Sequence, residues 1–340
     1  MAKLKDVAQL AGVSIAAVSL YVNGKSKGRI SKETQRKIEQ ALADTGYEPP
    51  SQKSEEAPAS GADASSAKTI LIFWSISFKR YLLGPLLTGI QDAIKALSPD
   101  STFDFVIKPY ELDMLYRHKR ALCGNQYHAA MIVSASASDM EFLESITPSI
   151  PVVLVNRKVN FCHCVYVDSA KAGEQTAQLI YEKGYRSMGI IRDSSPYMAT
   201  NSRFTELIRA CRERGISIPN DFQFITEDSI SRGEAAVEEY LSLPDRPTLI
   251  FTASDSLGFG ALRALRAHKI SVPDQCGVLS FGFERPELAK YSDPPLSVVD
   301  ISVSALAYSG MQLVIDVMEK KLSTPSQIEL PIRINLRDSF

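Results

Sequence analysis

The sequence predicts two parts: an N-terminal all-α helix-turn-helix headpiece and a longer α/β core made of two lobes. Three features predict it. Residues 1–47 carry three helical patterns punctuated by Gly and Ser. Residues 51–67, "SQKSEEAPASGADASSA", contain no large apolar side chain. From Lys68 onward, short apolar runs alternate with amphipathic segments. With 340 residues the chain is also too long for one compact core, so two or three domains are expected.

In the headpiece, taken as residues 1–48, Leu4, Val7, Ala8 and Ala11 recur at helical spacing and Gly12 ends the helix. Ser14 caps a second helix, which Asn23-Gly24 stops. Ser31 caps a third, with Ile38, Ala41 and Leu42 as its apolar stripe up to Gly46. Two short helices joined by a Gly-containing turn, then a third, form a helix-turn-helix bundle. The second helix, "GVSIAAVSLYVNGK", is apolar on both sides. Val18 and Val22 suit a core, while Ile15, Ala16 and Leu20 occupy the free side. Residues 1–50 hold eight Lys/Arg against five Asp/Glu, a balance of +3, which leaves −4 for the remainder of a chain of net charge −1. A small basic module on a mildly acidic body points to a polyanion partner.

Pro49-Pro50 cannot continue a helix, and residues 49–67 read as a flexible linker. The seventeen residues 51–67, if flexible, span about 22–25 Å on average. The core, residues 68–340, has apolar runs at 69–75, 103–107, 129–134, 151–155, 188–192, 248–252 and 277–281. Amphipathic segments lie between them, for example at 170–183, 202–214, 233–242 and 256–268. Near-continuous apolar strands alternating with helices mean parallel sheets covered on both faces. Seven runs suit two such sheets, with a ligand crevice beyond the strand C-termini between them.

Several classes are disfavoured. No run of 18 apolar residues occurs, and Met-Ala-Lys-Leu-Lys-Asp lacks an apolar signal core, so a cytoplasmic location is expected. Five scattered Cys suit reduced thiols. Cys162-His163-Cys164 has no second ligand pair nearby in sequence, so no metal is expected. Gly258-Phe259-Gly260 lacks a third glycine at Arg263, and two glycines there suit close packing better than a dinucleotide. The four His share no motif with a nucleophile, so neither an enzyme nor a cofactor is expected.

"LKDVAQLAGVSIAAVS", "VNGK", "RISKETQRKIEQAL" and "GYEP" resemble the headpiece of the LacI/GalR family of bacterial transcription regulators. "DSAKAGEQTAQLIYEKGYRSMGII", "ASDSLGFGALRALRAHKISVP" and "DPPLSVVDI" resemble its effector-binding core, two Rossmann-like lobes similar to periplasmic sugar-binding proteins. The resemblance implies a homodimer on a double-stranded DNA operator, controlled by a small-molecule effector, a sugar or sugar phosphate, in the cleft. It places the N-lobe at about 68–166 and 301–322, and the C-lobe at about 167–297 and 325–340.

The resemblance also assigns sites. Ile15, Ala16 and Leu20 would face base edges, where the one major-groove feature they can read is the thymine methyl. Ser14, Ala17 through its backbone, Ser19, Asn23 and Lys25 would anchor the helix, with Lys5, Arg29 and Ser31 on phosphates. No Leu, Ile or Phe occurs between Tyr47 and Ile70, so the family's minor-groove hinge helix is expected to be absent. In the cleft, Arg203 matches the arginine that usually holds effector oxygens, and Asp255 keeps the family's acid. Asn156 stands where Asp is common, and Gly282-Phe283 where two acids are usual. The loop "FWSISFKRY" adds Trp74, Ser77, Phe78 and Arg80, with Lys79 the alternative cation and Trp74 either a stacking platform or core filler. The competing reading is a cytoplasmic small-molecule-binding protein whose headpiece meets another protein or no longer binds DNA.

Overall fold

The computed structural model describes residues 3–22, 30–45, 68–77, 79–98, 103–194, 198–282, 286–322 and 324–340. The expected linker at 49–67, the site candidates Asn23, Lys25, Arg29, Phe78 and Phe283, and the expected hinge-helix segment lie outside them.

Helix α1 (Leu4–Ala11) is closed at its start by Asp6, whose carboxylate accepts from the Lys3 amide at 2.7 Å. It ends at Gly12, whose φ of 64° lies in the left-handed region open to glycine. Ser14 caps α2 (Ile15–Val22), its Oγ accepting from Ala17 N at 3.2 Å. The two helices are bent by 110°, as a helix-turn-helix requires. Ser31 Oγ accepts from Thr34 N at the start of α3 (Lys32–Thr45). Val7, Ala8, Ala11, Val18, Ile38 and Ala41 form the buried core of this bundle. At its edge Tyr21 Oη donates to Glu39 at 2.5 Å, and Glu39 also pairs with Arg117 of the core domain.

The core contains two six-stranded sheets. In chain order the first lobe contributes β1 (Lys68–Ser75), α4 (Leu83–Leu97), β2 (Phe103–Tyr110), α5 (Lys119–Cys123), β3 (Ala129–Val133), α6 (Ala137–Ser145), β4 (Val152–Val155) and β5 (His163–Tyr166). The second lobe follows with α7 (Ser169–Glu182), β6 (Gly189–Asp193), α8 (Met198–Glu213), β7 (Gln223–Thr226), α9 (Ile230–Ser242), β8 (Leu249–Thr252), α10 (Asp255–Ala267), β9 (Gly277–Gly282), α11 (Pro286–Tyr291) and β10 (Ser297–Asp300). The chain then returns as α12 (Val303–Met318), β11 (Gln327–Glu329) and β12 (Arg333–Asn335). The strand orders are β11-β5-β4-β3-β1-β2 and β12-β10-β9-β8-β6-β7, parallel throughout except for β12 against β10. Along β1, Ile70, Ile72 and Trp74 face one apolar cluster while Leu71 and Phe73 face the other, as a strand covered on both sides demands.

One boundary differs from expectation. Residues 325–340 were assigned as a block to the second lobe, but Gln327–Glu329 pair in parallel with Cys164–Tyr166 of the first sheet. The final crossing between lobes therefore lies at 330–332, between β11 and β12. Each of these edge strands is three residues long with two of the three polar, which leaves no apolar run to mark it. At the Cys162-His163-Cys164 stretch, His163 Nδ1 accepts from Ser326 N at 3.2 Å, and burial pushes the Cys162 thiol up to about 12. Among the described residues no group of three His, Cys, Asp or Glu is placed to hold a metal ion.

His118 sits 5.3 Å from the Phe73 ring, and burial, with the charges of Lys108 and Arg117, pushes it down to about 4. A folded value below the ordinary 6.5 means that protonation favours the unfolded chain. Stability is then complete above about pH 6.5 and declines as pH falls toward 4. The thermal midpoint is expected to fall between about pH 6.5 and pH 5, and to fall less in His118→Gln. Equal pH slopes for the two proteins would place the acid sensitivity elsewhere.

Candidate DNA-reading helix and ligand cleft

The apolar free side of α2 is not core. Ile15 is 49% exposed, Ala16 is exposed, and Leu20 is half-buried and absent from the headpiece cluster, whereas Val18 is fully buried. Exposed apolar residues on one short helix usually mark a contact surface. Lys5, Ser14 and Ser31 are also exposed, so cationic and hydroxyl groups flank this face. Ala17 and Ser19 are half-buried, with Ala17 packed on the headpiece core.

Between the lobes, loops at the C-terminal ends of the strands meet. Lys79, four residues past β1, reaches the second lobe: its Nζ lies 2.5 Å from Asp228 Oδ2 and 3.5 Å from Asp193 Oδ2. Tyr81 Oη donates to Asp228 Oδ2 at 3.4 Å, and Ser254 Oγ donates to Asp228 Oδ1. Ser254 is also the cap of α10, accepting from Leu257 N at 3.2 Å. The side chains of Lys79, Asp193 and Asp228 are 19%, 12% and 10% exposed, so this pairing is largely withdrawn from water. Asp193 Oδ1 is buried with no hydrogen-bond partner.

A second link crosses the cleft. Arg203, in α8, donates from Nη2 to Asn156 Oδ1 at 2.6 Å. Asn156 follows β4 with φ 64°, a left-handed conformation that Asn tolerates through local hydrogen bonding. Its amide donates to Ser134 Oγ at 3.3 Å, and Ser134, just past β3, is left-handed as well. The next residue, Arg157, is 5% exposed and donates to the carbonyls of Ala135 and Asn156. Arg203 is 2% exposed, and its Nε has no hydrogen-bond partner. Burial, with the charge of Arg157, pushes Arg203 down to about 10, still protonated at neutral pH.

Residues 3–50 match bacterial regulatory proteins of the lacI family, and residues 177–340 match the periplasmic binding protein-like domain. GalS, an HTH-type transcriptional regulator of Salmonella typhimurium, is 25% identical over 333 residues, covering 92% of this chain and 89% of GalS. The chain thus joins a region matching the lacI family of bacterial regulatory proteins to a periplasmic binding protein-like domain. The crystal structure of a LacI family transcription regulator from Clostridium acetobutylicum, 28% identical, covers 79% of this chain and 99% of its own with a TM-score of 0.75. A transcriptional regulator CelR–cellobiose complex shares the fold over the whole of both chains, with a TM-score of 0.67 at 22% identity. With this pairing of regions the chain is a DNA-binding transcriptional regulator with an effector-controlled core.

Against the family pattern, the structure brings Asn156 and Arg203 into direct contact and buries Asp255 at the first residue of α10. It does not gather all the loop candidates. Trp74 is 6% exposed and belongs to the apolar cluster with Leu82 and Leu86, which favours the core role weighed for it. Ser77 and Arg80 are exposed, and the cation that this loop sends across the cleft is Lys79 instead of Arg80. The correction follows from the turn: Lys79 precedes the 3-10 helix Arg80–Leu82, in which Leu82 is buried. The sequence offers no signal for Asp193 and Asp228, while Tyr81, Ser254 and Arg157 stand beside sequence candidates in their motifs. Gly258 and Gly260 open no phosphate loop; both are buried in α10 against neighbouring elements.

Proposed function

We propose that the protein binds an operator palindrome as a homodimer in the cytoplasm, with α2 in the major groove of each half-site. Ile15, Ala16 and Leu20 read thymine methyls. Ser14, Ala17, Ser19, Asn23, Lys25, Lys5, Arg29 and Ser31 hold the backbone around them. A sugar or sugar phosphate in the cleft, against Arg203, Asn156 and Asp255, shifts the core and with it DNA affinity; the chain is not an enzyme. The observation that carries the DNA reading is the exposed apolar side of α2 in a 110° helix pair. The CelR complex with cellobiose, on the same two-lobe fold, supports a carbohydrate effector.

Replacing thymine by uracil removes the methyl and leaves the pairing edge unchanged. Each contacted thymine is expected to lose about 1 kcal/mol of binding, since one buried methyl is worth about 0.8 kcal/mol. Leu20→Ala should weaken binding to the thymine site and become nearly indifferent to the swap beneath it. Fluorescence anisotropy on the four protein–DNA combinations gives the coupling. A coupling near zero at every operator thymine would remove methyl reading, and salt-independent binding would remove the phosphate contacts as well.

A further inference from the structure

One carboxylate ties the headpiece to the core. Glu39, in α3, accepts on Oε1 from Tyr21 Oη at 2.5 Å and from Arg117 Nη2. Tyr21 is the neighbour of Leu20 in α2, so the reading helix, α3 and the core meet at one oxygen atom. The side chains of Glu39 and Arg117 are 18% and 38% exposed, so salt screens this pair less than it screens a free surface pair. Glu111, exposed and 4.0 Å away, is the weaker partner of Arg117. Arg117 itself stands on a firm base, the 3-10 turn Leu115–His118, whose Leu115 is fully buried. Asp139, buried in the first turn of α6, accepts from the amides of Leu115 at 3.1 Å, Asp113 at 3.4 Å and Ser136 at 3.1 Å. Tyr110 Oη donates to the same carboxylate at 3.3 Å. A buried network satisfied in this way stiffens the chain between β2 and α5.

Beside this clamp the seam is open. A cavity of about 340 Å³ lies between Gln40 and Asp44 of α3 and Tyr116, Lys119, Glu141 and Phe142 of the core. The buried apolar cluster of the headpiece, with its packed neighbours, runs from Leu4 to Leu42 and takes no described residue from the core. The two parts therefore meet through polar groups and can separate without opening either apolar core. The docked pose also leaves the reading face clear: Ile15, Ala16, Lys5, Ser14 and Ser31 are all exposed while Glu39 is engaged. A contact that silenced the headpiece by masking it would cover these residues; this one grips the last turn of α2 and the middle of α3. We propose that Arg117 is a positioning residue for DNA binding: its clamp on Glu39 docks the headpiece on the first lobe of its own core and presents α2 to the operator. The proposal rests on the reading of α2 as the DNA-reading helix and deepens it. In a homodimer, two headpieces held in this way have a set separation, so one spacing of half-sites is favoured. Released headpieces accept a range of spacings, each at a lower effective concentration.

The test compares the full-length parent with Arg117→Lys and Arg117→Glu in two measurements. Amide relaxation by nuclear magnetic resonance reports whether the headpiece tumbles with the core. It should do so in the parent and in Arg117→Lys, which keeps the charge, and reorient several-fold faster in Arg117→Glu, where two carboxylates face each other. The second measurement uses duplexes that the full-length parent recovers from a random-sequence pool, with the distance between their half-sites lengthened and shortened by single base pairs. The parent and Arg117→Lys should favour one spacing by about tenfold. Arg117→Glu should lose about tenfold at that spacing and bind all spacings nearly alike. An equal loss at every spacing would be an effect of charge alone and overturns the positioning role. Independent tumbling of the headpiece in the parent, or tighter DNA binding by Arg117→Glu, overturns the proposal while the DNA reading stands. Recovery of no duplex at all overturns both.

Discussion

Replacing Lys79 with methionine is expected to open the ligand cleft. The ammonium is the cation between Asp193 and Asp228, and it comes from the opposite lobe. Without it two carboxylates would face each other at 12% and 10% exposure, and removing one partner of a buried pair costs about 3–5 kcal/mol. The molecule can avoid much of that cost by parting its lobes and rehydrating both acids. The closed-to-open equilibrium should then move by about 3 kcal/mol, roughly 100-fold, toward the open form. Small-angle scattering of the variant should show a larger radius of gyration, with a smaller loss in the urea midpoint. Removing the acid as well, in Lys79→Met with Asp228→Leu, should restore much of the closure, since an apolar pair of similar volume can replace a buried ion pair at little cost. The coupling from this cycle is expected to exceed about 1 kcal/mol. Unchanged scattering together with a coupling near zero would show that Lys79 does not hold the lobes together.

This latch also shows where the sequence was legible and where it was not. The seven apolar runs each became a strand, with ends within three residues; a strand buried on both faces, such as β1 or β3, must be apolar at nearly every position, whereas β2 lies at the sheet edge with one residue buried. The strands without such a run are β5, β7, β10, β11 and β12. His163–Tyr166 opens with a polar residue, and Gln223–Thr226 is an edge strand with one buried residue in four. That second gap had a cost at the site. Asp228 lies two residues beyond β7, so without β7 nothing placed that acid at the mouth of the cleft. Asp193 ends a strand that had been read, but one carboxylate at a strand end has no sequence signature until its partner is known. Lys79 had been weighed against Arg80, and the choice depended on a short 3-10 turn that periodicity does not reveal. Arg203, Asn156 and Asp255 were legible because each stands inside a motif that resembles the family's. The free side of α2 was legible for a simpler reason: eight residues cannot bury apolar groups on both sides of a helix in a three-helix bundle.

Gly260→Ala is expected to cost about 2–3 kcal/mol although it adds a single methyl group. Helices α9 and α10 cross so closely that a Cβ at Gly260 would overlap the carbonyl oxygen of Ile230 and lie 2.6 Å from the amide nitrogen of Glu234. On the facing helix, Gly233 meets Leu257 in the same way, its Cβ falling 2.9 Å from Leu257 Cα. These obstacles are backbone atoms, so a rotamer change cannot make room, and the helices must separate. Separation matters for the cleft because α9 begins just after Asp228 and α10 begins at the Ser254 cap, the two residues that share a hydrogen bond. The variant should therefore lose stability in urea and also loosen the latch, which appears as a scattering change in the same direction as in Lys79→Met. Gly84→Ala is the control: Gly84 is exposed in α4 with nothing within 4 Å of an added Cβ, and the change should be neutral or stabilising by up to about 1 kcal/mol. A Gly260→Ala protein as stable as the parent would mean that α9 and α10 pack further apart than this, and the tie between their crossing and the cleft would fall with it.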